Sequence, residues 1–380
     1  MPTWSLACSA CAHTAAGQSL AAVCPDCGQP YLVRYASLPR EKSALLARWD
    51  QWRYTAMLPV LDGEVPVSLG EGATPLMELP GLAASIGVRR LWVKDEALNP
   101  TGSFKARGMS AAVTRARALG VPGLVVPTAG NAGAALAAYG AAAAIPVRVF
   151  APDTTPASIL ATIRVLGAEL VTLPGHIGDS GKAARAFAAE SGYFDMSTLR
   201  EPYRIEGKKT MGLELAEQLG WRLPDAIVYP TGGGTGLIGM WKAFAELHAM
   251  GWLAADERLP RMITAQASGC APIVRAFSAH ADRAIAWEHP ETHASGLRVP
   301  GPLGDQLILR ALYESDGDAY AVEEDVIRAA TLELSAASGV DAAPEGGCAL
   351  AVTLALRKLG RLQADDEVVI YNTGSGASYR

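Results

Sequence analysis

From about residue 65 onward, short apolar runs alternate with helix-length stretches, and several runs empty into loops rich in glycine. The runs at 91–94, 124–126, 147–150, 169–173, 226–229, 262–265 and 368–371 have the length and composition of buried strands. Helical patterns fill 104–119, 132–144, 179–191 and 209–219. This alternation leaves few folds open, and predicts an α/β class with parallel sheets covered by helices. Ligands of such sheets bind at the carboxyl ends of the strands, where the loops lie.

Composition narrows the function classes. Half of the 380 residues are apolar and 19% are charged, which excludes a disordered chain, and the glycines and prolines follow no fibrous period. The length predicts two or three units. A net charge of -5 without a long Lys or Arg run argues against broad nucleic-acid or membrane-surface binding. Residues 121–147 carry no charge, but Pro122, Pro127, Asn131 and Pro146 interrupt them and alanine dominates. A spanning helix needs about 20 predominantly apolar residues, so strand, loop, packed helix and strand is expected there. Residues 1–11 lack the basic start and apolar core of a secretory signal, and a cytoplasmic chain is expected.

Six cysteines are too few for a disulfide scaffold at this length. Four form one cluster, Cys8-x-x-Cys11 and Cys24-x-x-Cys27, with twelve residues between the pairs. Each pair can turn two thiolates toward one point, so residues 1–38 are expected to form a zinc-ribbon-like segment. Arg34 and Arg40 are the nearest basic residues, too few for a nucleic-acid finger, so the expected zinc is structural. Cys270 and Cys348 stand in apolar helical context and are expected to be buried thiols. An amphipathic stretch at 41–54 is expected to pack on the main body.

Three loops carry the candidate chemistry. The first is Asn99-Pro100-Thr101-Gly102-Ser103-Phe104-Lys105. Ser103 reads as the cap of the helix beside it, which places Lys105 in the first turn. There the positive end of the helix dipole disfavours an ammonium ion, by a few tenths of a kcal/mol to about 1, and suits an amine that must act as a nucleophile. The second is Thr231-Gly232-Gly233-Gly234-Thr235-Gly236, between a strand and a helix. Converging N–H groups and the helix dipole suit a phosphate, and the spacing matches neither a Walker loop nor a dinucleotide fingerprint. The third is Thr128-Ala129-Gly130-Asn131-Ala132-Gly133, small enough for a flat ligand or a substrate carboxylate on the helix that follows. Tyr371-Asn372-Thr373-Gly374-Ser375-Gly376 adds hydroxyls at the end of the last strand.

Together these loops resemble the fold-type II family of pyridoxal-phosphate enzymes, and within it the threonine synthases. The stretch from Val93 through Lys94-Asp95-Glu96-Ala97-Leu98 to the Asn99–Lys105 loop matches that family's Schiff-base lysine motif. Pro202-Tyr203-Arg204-Ile205-Glu206-Gly207-Lys208-Lys209-Thr210 and the cysteine-bearing segment match as well, so the resemblance covers nearly the whole chain. It implies two three-layer domains with parallel sheets: a large cofactor-binding domain over 39–106 and 201–380, and a smaller one over 107–200. It makes Lys105 the catalytic, cofactor-bearing lysine, Gly232, Gly233, Gly234, Thr235 and Gly236 the phosphate cradle, and Asn131 the partner of the ring hydroxyl. Thr373, with Ser375 beside it, would face the pyridine nitrogen. A neutral hydroxyl there leaves that nitrogen unprotonated, so the ring is a weaker electron sink, suited to elimination and replacement. Thr128, Ala129, Gly130 and Arg204 would bind the substrate.

The implied reaction converts O-phospho-L-homoserine and water to L-threonine and phosphate, with Lys105 as general base at the α carbon. Four departures keep an alternative open on the same fold. Ala129 and Ala132 stand where threonine synthases carry hydroxyls. Thr198-Leu199-Arg200-Glu201 replaces the usual Asn and Ser before Pro202, and Arg200 is a candidate to replace their contacts. The loop at 232–236 resembles that of serine/threonine dehydratases, and the C-terminal loop lacks a Gly-Leu-Lys-Asp ending. The alternative is a serine/threonine ammonia-lyase or a β-replacement enzyme similar to cysteate synthase. Similar enzymes imply a homodimer, with a small amino-acid substrate and neither nucleic acid nor membrane as partner.

Overall fold

The computed structural model describes residues 4–380, so Met1–Thr3 of the stretch weighed as a signal lie outside the described residues. The chain opens with strands β1 (Trp4–Cys8), β2 (Thr14–Ala16) and β3 (Tyr31–Tyr35). After two short 3-10 turns come β4 (Leu76–Glu78), α1 (Pro80–Ile86), β5 (Arg90–Asp95) and α2 (Lys105–Ala118). Next are β6 (Leu124–Pro127), α3 (Asn131–Ala143), β7 (Val147–Pro152), α4 (Ala157–Val165), β8 (Glu169–Leu173), α5 (Ile177–Ser191) and β9 (Phe194–Asp195). The succession continues with α6 (Tyr203–Gln218), β10 (Ala226–Pro230), α7 (Thr235–Met250), β11 (Arg261–Ala267), α8 (Pro272–Ser278) and α9 (Asp305–Glu314). It closes with β12 (Asp318–Val322), α10 (Glu324–Ser338), α11 (Pro344–Lys358) and β13 (Glu367–Asn372).

These elements divide into two units, residues 1–73 with 99–211, and residues 74–98 with 212–380. The first therefore contains the expected 107–200 segment together with the ribbon and the residues around Lys105. Its ribbon is an antiparallel sheet in the order β2-β1-β3. Its main sheet is parallel, in the order β8-β7-β6-β9. Alanine dominates α3 because the helix lies close on this sheet: a Cβ on Gly140 would stand 2.1 Å from Val147 Cγ2. The uncharged stretch 121–147 is thus β6, α3 and the start of β7, as its prolines and alanines suggest, and among the described residues no helix is long and apolar enough to cross a membrane.

The second unit is built on a six-stranded sheet in the order β12-β11-β10-β13-β5-β4, parallel except for β4. Both faces are covered, so β10 and β13 are buried along their whole length and read as continuous apolar runs. Leu91, Val93, Val228, Ile263, Val368 and Ile370 belong to one core cluster on this sheet.

The stretch 41–54 packs inward as expected, through 3-10 turns at Lys42–Ala44 and Gln51–Met57, the second of which buries Trp52 and Tyr54. Two expectations change in detail. The helix expected from residue 209 begins at Tyr203, because the Glu201 carboxylate accepts from the N–H groups of Tyr203 and Arg204 and starts it there. Cys348 is a buried thiol in α11, while Cys270 is buried in the turn after β11 and not in a helix.

Candidate cofactor site and four-cysteine cluster

In the first unit, Lys105 is the first residue of α2 and is half-buried. The turn before it is strained: Thr101, a β-branched residue, has φ +60° and Gly102 follows at φ +69°. Asn99 pins this turn by accepting from the Gly72 N–H at 3.0 Å. Ser103 does not cap the helix. Phe104 occupies the cap position with helical φ and ψ, and the Ser103 hydroxyl is buried with no hydrogen-bond partner. A buried orphan donor is rare in a folded protein, and it stands two residues from Lys105. The Phe104 ring lies 3.9 Å from Lys105 Nζ and 4.4 Å from Nζ of the buried Lys208, which also donates to the Phe104 carbonyl at 2.5 Å.

The asparagine loop follows β6, the strand from which the chain runs outward to β7 and β8 before returning to β9 on the other side. Such a reversal is the usual place for a crevice. Thr128 organises the loop from within: its hydroxyl donates to the Gly130 carbonyl at 2.8 Å and accepts from the N–H of Gly130 at 3.1 Å and of Gly133 at 3.3 Å. Asn131, first in α3, is half-buried, with Ala129 and Gly130 half-buried beside it.

The neighbouring loop after β9 is a built turn. Ser197 donates its N–H and its hydroxyl to Asp195, the Arg200 N–H donates to the Ser197 carbonyl, and the buried Leu199 has φ +63°. Arg200 is half-buried at its end. Arg204 is wholly enclosed: it donates to the Met196 carbonyl at 2.7 Å, and its Nε stands 3.9 Å from Glu201 Oε1. Burial pushes the Glu201 carboxyl up to about 7, against the pull of Arg204 and the helix N–H groups. The same burial lowers Arg204, offset by Glu201 and Asp195.

In the second unit, the glycine loop follows β10 and opens α7. Gly234 caps the helix at φ +73°, a left-handed conformation in which a Cβ would also stand 2.2 Å from Ile308 Cδ1, so only glycine fits. The first bond of the helix runs from the Ile238 N–H to the Gly234 carbonyl. The N–H groups of Gly232, Gly233, Gly234, Thr235 and Gly236 are therefore left without an acceptor among the described residues. Because β10 pairs with β13, Thr373 stands at the end of the adjacent strand, buried and just beyond Asn372. The Asn372 side chain donates to Asp95 at 2.8 Å and accepts from the Ala343 N–H, which fixes the end of β13. Ser375 faces elsewhere: its hydroxyl donates to Asp341 and accepts from the Ala377 N–H.

The ribbon brings all four cysteine sulfurs within 4.8 Å of one another. Cys8 and Cys27 Sγ are 3.4 Å apart, and Cys11 and Cys24 Sγ are 3.6 Å apart. Tetrahedral Zn–S bonds of about 2.3 Å would set the sulfurs about 3.8 Å apart, so little rearrangement separates this cluster from a closed metal site.

The chain is similar to known proteins along most of its length. A threonine synthase of Methanosarcina acetivorans is 36% identical over 324 residues, which cover 85% of this chain and 78% of its own. One from Methanocaldococcus jannaschii is 36% identical over 326 residues, 86% of this chain and 80% of its own. The crystal structure of a T.th. threonine deaminase superposes with a TM-score of 0.66 at 27% identity, over 80% of this chain and 92% of that one. The family model of pyridoxal-phosphate-dependent enzymes matches residues 67–374.

The chain belongs to that family.

A pyridoxal-phosphate-dependent enzyme needs a lysine amine, a set of donors for a phosphate and a polar setting for the ring. Lys105 at a helix start, the unclaimed N–H groups of the glycine loop and the orphan Ser103 hydroxyl fit those needs. The sequence reads Ser103 only as a helix cap and gives Lys208 no separate role; the structure adds the buried, partnerless Ser103 hydroxyl and the Lys208 bond to the Phe104 carbonyl. Both lie inside the two matching motifs, but neither residue type separates a buried polar role from an ordinary surface one.

Proposed function

We propose that the chain is a threonine synthase, releasing phosphate from O-phospho-L-homoserine and adding water to give L-threonine. What carries the reading is the likeness to threonine synthases over 85% of the chain, together with the folding of the 93–105 motif into strand, left-handed turn and lysine-headed helix. The cofactor, when bound, would supply an electron sink for negative charge developing at the substrate's amino-bearing carbon and at the carbon beside it. Lys105 would carry it, and Gly232–Gly236 would hold its phosphate on backbone N–H groups. Asn131 and Thr373 would orient the ring through hydrogen bonds, and Thr373, being neutral, would leave the ring nitrogen without a proton.

Once substrate has displaced it, the Lys105 amine would take the α proton. The β carbon would then lose a proton, phosphate would leave from the γ carbon, and water would add at the β carbon. Thr128 would keep the asparagine loop in shape for the substrate carboxylate, with Ala129 and Gly130 leaving the room. Arg204, enclosed with Glu201 and the Met196 carbonyl, would act on substrate through the shape of the 195–202 turn. We further propose a structural zinc on the four cysteines, a homodimer and a cytoplasmic location.

A second reading, a serine/threonine ammonia-lyase, draws support from the dehydratase-like glycine loop and from the fold shared with threonine deaminase. The experiment is a product assay on the cofactor-loaded protein with O-phospho-L-homoserine, L-threonine and L-serine in turn. Threonine and phosphate released in equal amounts support the synthase. A 2-oxo acid from threonine or serine, without turnover of the phosphate ester, moves the assignment to the second reading. Lys105→Ala is expected to abolish the yellow adduct and all turnover, and a variant retaining both overturns the central assignment.

A further inference from the structure

The glycine loop is not held by its own strand and helix alone. A Cβ at Gly232 would stand 2.1 Å from the Gly296 carbonyl oxygen, so the segment around Gly296 lies directly on the loop. Gly296 is fixed in turn by Glu345, in the first turn of α11: its N–H donates to Glu345 Oε1 at 2.8 Å. A Cβ at Gly296 would stand 2.6 Å from that same oxygen, so no slack separates the two. Glu345 Oε1 also accepts from the Tyr379 hydroxyl, which lies 3.0 Å from Ser295 Oγ. Burial and the facing carboxylate hold the Tyr379 phenol well above its ordinary pKa, so it stays a donor.

Tyr379 itself sits in a closing turn anchored on one residue, Asp341. Ser375 donates to the Asp341 carboxylate at 3.0 Å, the Gly376 N–H to its carbonyl at 2.9 Å, and Arg380 forks onto it at 2.9 and 3.0 Å. All of these groups lie in the second unit. A run of touching layers thus leads from the closing turn through Glu345 and Gly296 to the loop.

We propose that Glu345 and Tyr379 are positioning residues that hold the glycine loop in its phosphate-binding shape through Gly296. The proposal rests on the reading of Gly232–Gly236 as the cofactor-phosphate cradle. Neither side chain would touch the cofactor; both act through the backbone of residues 295–296. A loop of glycines gains conformational freedom when released, and preorganised N–H groups lose affinity as they scatter.

The test compares binding of pyridoxal 5'-phosphate and of pyridoxal, which lacks the phosphate, to the full-length apoprotein by absorbance and fluorescence titration. The unaltered chain should prefer the phosphorylated form. Glu345→Ala and Tyr379→Phe should each weaken that form by about tenfold while leaving pyridoxal unchanged, so that the preference shrinks. Glu345→Gln, which keeps an acceptor for the Gly296 N–H, should recover part of it. Tyr379→Phe removes only a hydroxyl, and its urea midpoint checks that the fold persists. Equal weakening of both ligands would make the role merely structural and overturn the proposal, as would unchanged binding in both variants. An unaltered chain with no preference for the phosphate overturns the cradle reading itself, and the positioning role with it.

Discussion

Lys94 lies near the end of β5, the strand that leads into the lysine motif, and its side chain is wholly buried. Its ammonium donates to Glu214, to the Thr74 carbonyl at 2.6 Å and to Gln218 Oε1 at 2.9 Å. Glu214 also accepts from the Thr74 N–H at 2.8 Å and hydroxyl at 3.2 Å. Glu214→Gln keeps an acceptor for these donors but removes the negative charge in contact with the ammonium. The Thr74 carbonyl and Gln218 still accept from the ammonium, which places the cost at the lower end of the range for a broken buried pair, about 3 kcal/mol. Lys94→Met leaves the Glu214 carboxyl without the ammonium but still served by Thr74, for a cost of about 2–3 kcal/mol. In the double variant neither charge remains, Met fills most of the lysine stem, and Gln218 still serves the Thr74 carbonyl at 2.8 Å. Its cost should fall to about 1 kcal/mol, which gives a coupling of at least about 4 kcal/mol between the two sites. Urea unfolding of all four proteins, followed by tryptophan fluorescence at fixed cofactor concentration, measures the cycle. A cost below about 1 kcal/mol for Glu214→Gln, or a double variant that costs the sum of the singles, would rule this coupling out.

Three further outcomes follow from the geometry. A Cβ on Gly207 would stand 2.0 Å from the Arg107 carbonyl oxygen, on helices α6 and α2, so Gly207→Ala should cost about 3 kcal/mol or prevent soluble expression; a urea midpoint within error of the unaltered chain would refute the close crossing. Glu201 has a folded value of about 7 against an ordinary 4.5, so its contribution to stability is fully present below about pH 4.5 and is lost as the pH rises through 7, about 3 kcal/mol in all. Glu201→Gln should flatten this part of the stability profile between pH 4.5 and 7.5, and an unchanged slope would count against a proton held in the fold. Metal analysis should find one zinc per chain; a chelator or Cys24→Ser should lower the melting temperature, whereas a chain without metal that melts unchanged would make the four sulfurs only neighbours.

The architecture was legible because parallel strands buried on both faces announce themselves. The runs that became β10, β11 and β13 contain little besides apolar residues, and each is followed by the loop its position requires. Helix starts were harder to read. Ser103 has the chemistry of a cap, but the tight Thr101-Gly102 turn feeds the chain into α2 already helical at Phe104, and the hydroxyl is left inside without a partner. The start of α6 was missed for the opposite reason: its cap is Glu201, a residue type that seldom caps, acting across the buried Pro202. Local propensity is a weak guide wherever the backbone on either side has been fixed by something else.

The same limit separates the parts of the proposed site that stand out in the sequence from those that do not. Lys105, Asn131 and the glycine loop stand out because glycine, asparagine and lysine at strand ends satisfy few purely structural needs. The groups that hold them do not stand out. Thr128 shapes the asparagine loop with three hydrogen bonds that any Ser or Thr pattern would permit. Glu345 and Tyr379 are 34 residues apart, and the hydroxyl of one meets the carboxylate of the other only because α11 and the closing turn fold back on residues 295–296. Residues that touch a ligand are constrained by the ligand's chemistry, which is general and can be read from the chain. Residues that position them are constrained by this fold's packing, and only the folded chain brings each one to the backbone atom it holds.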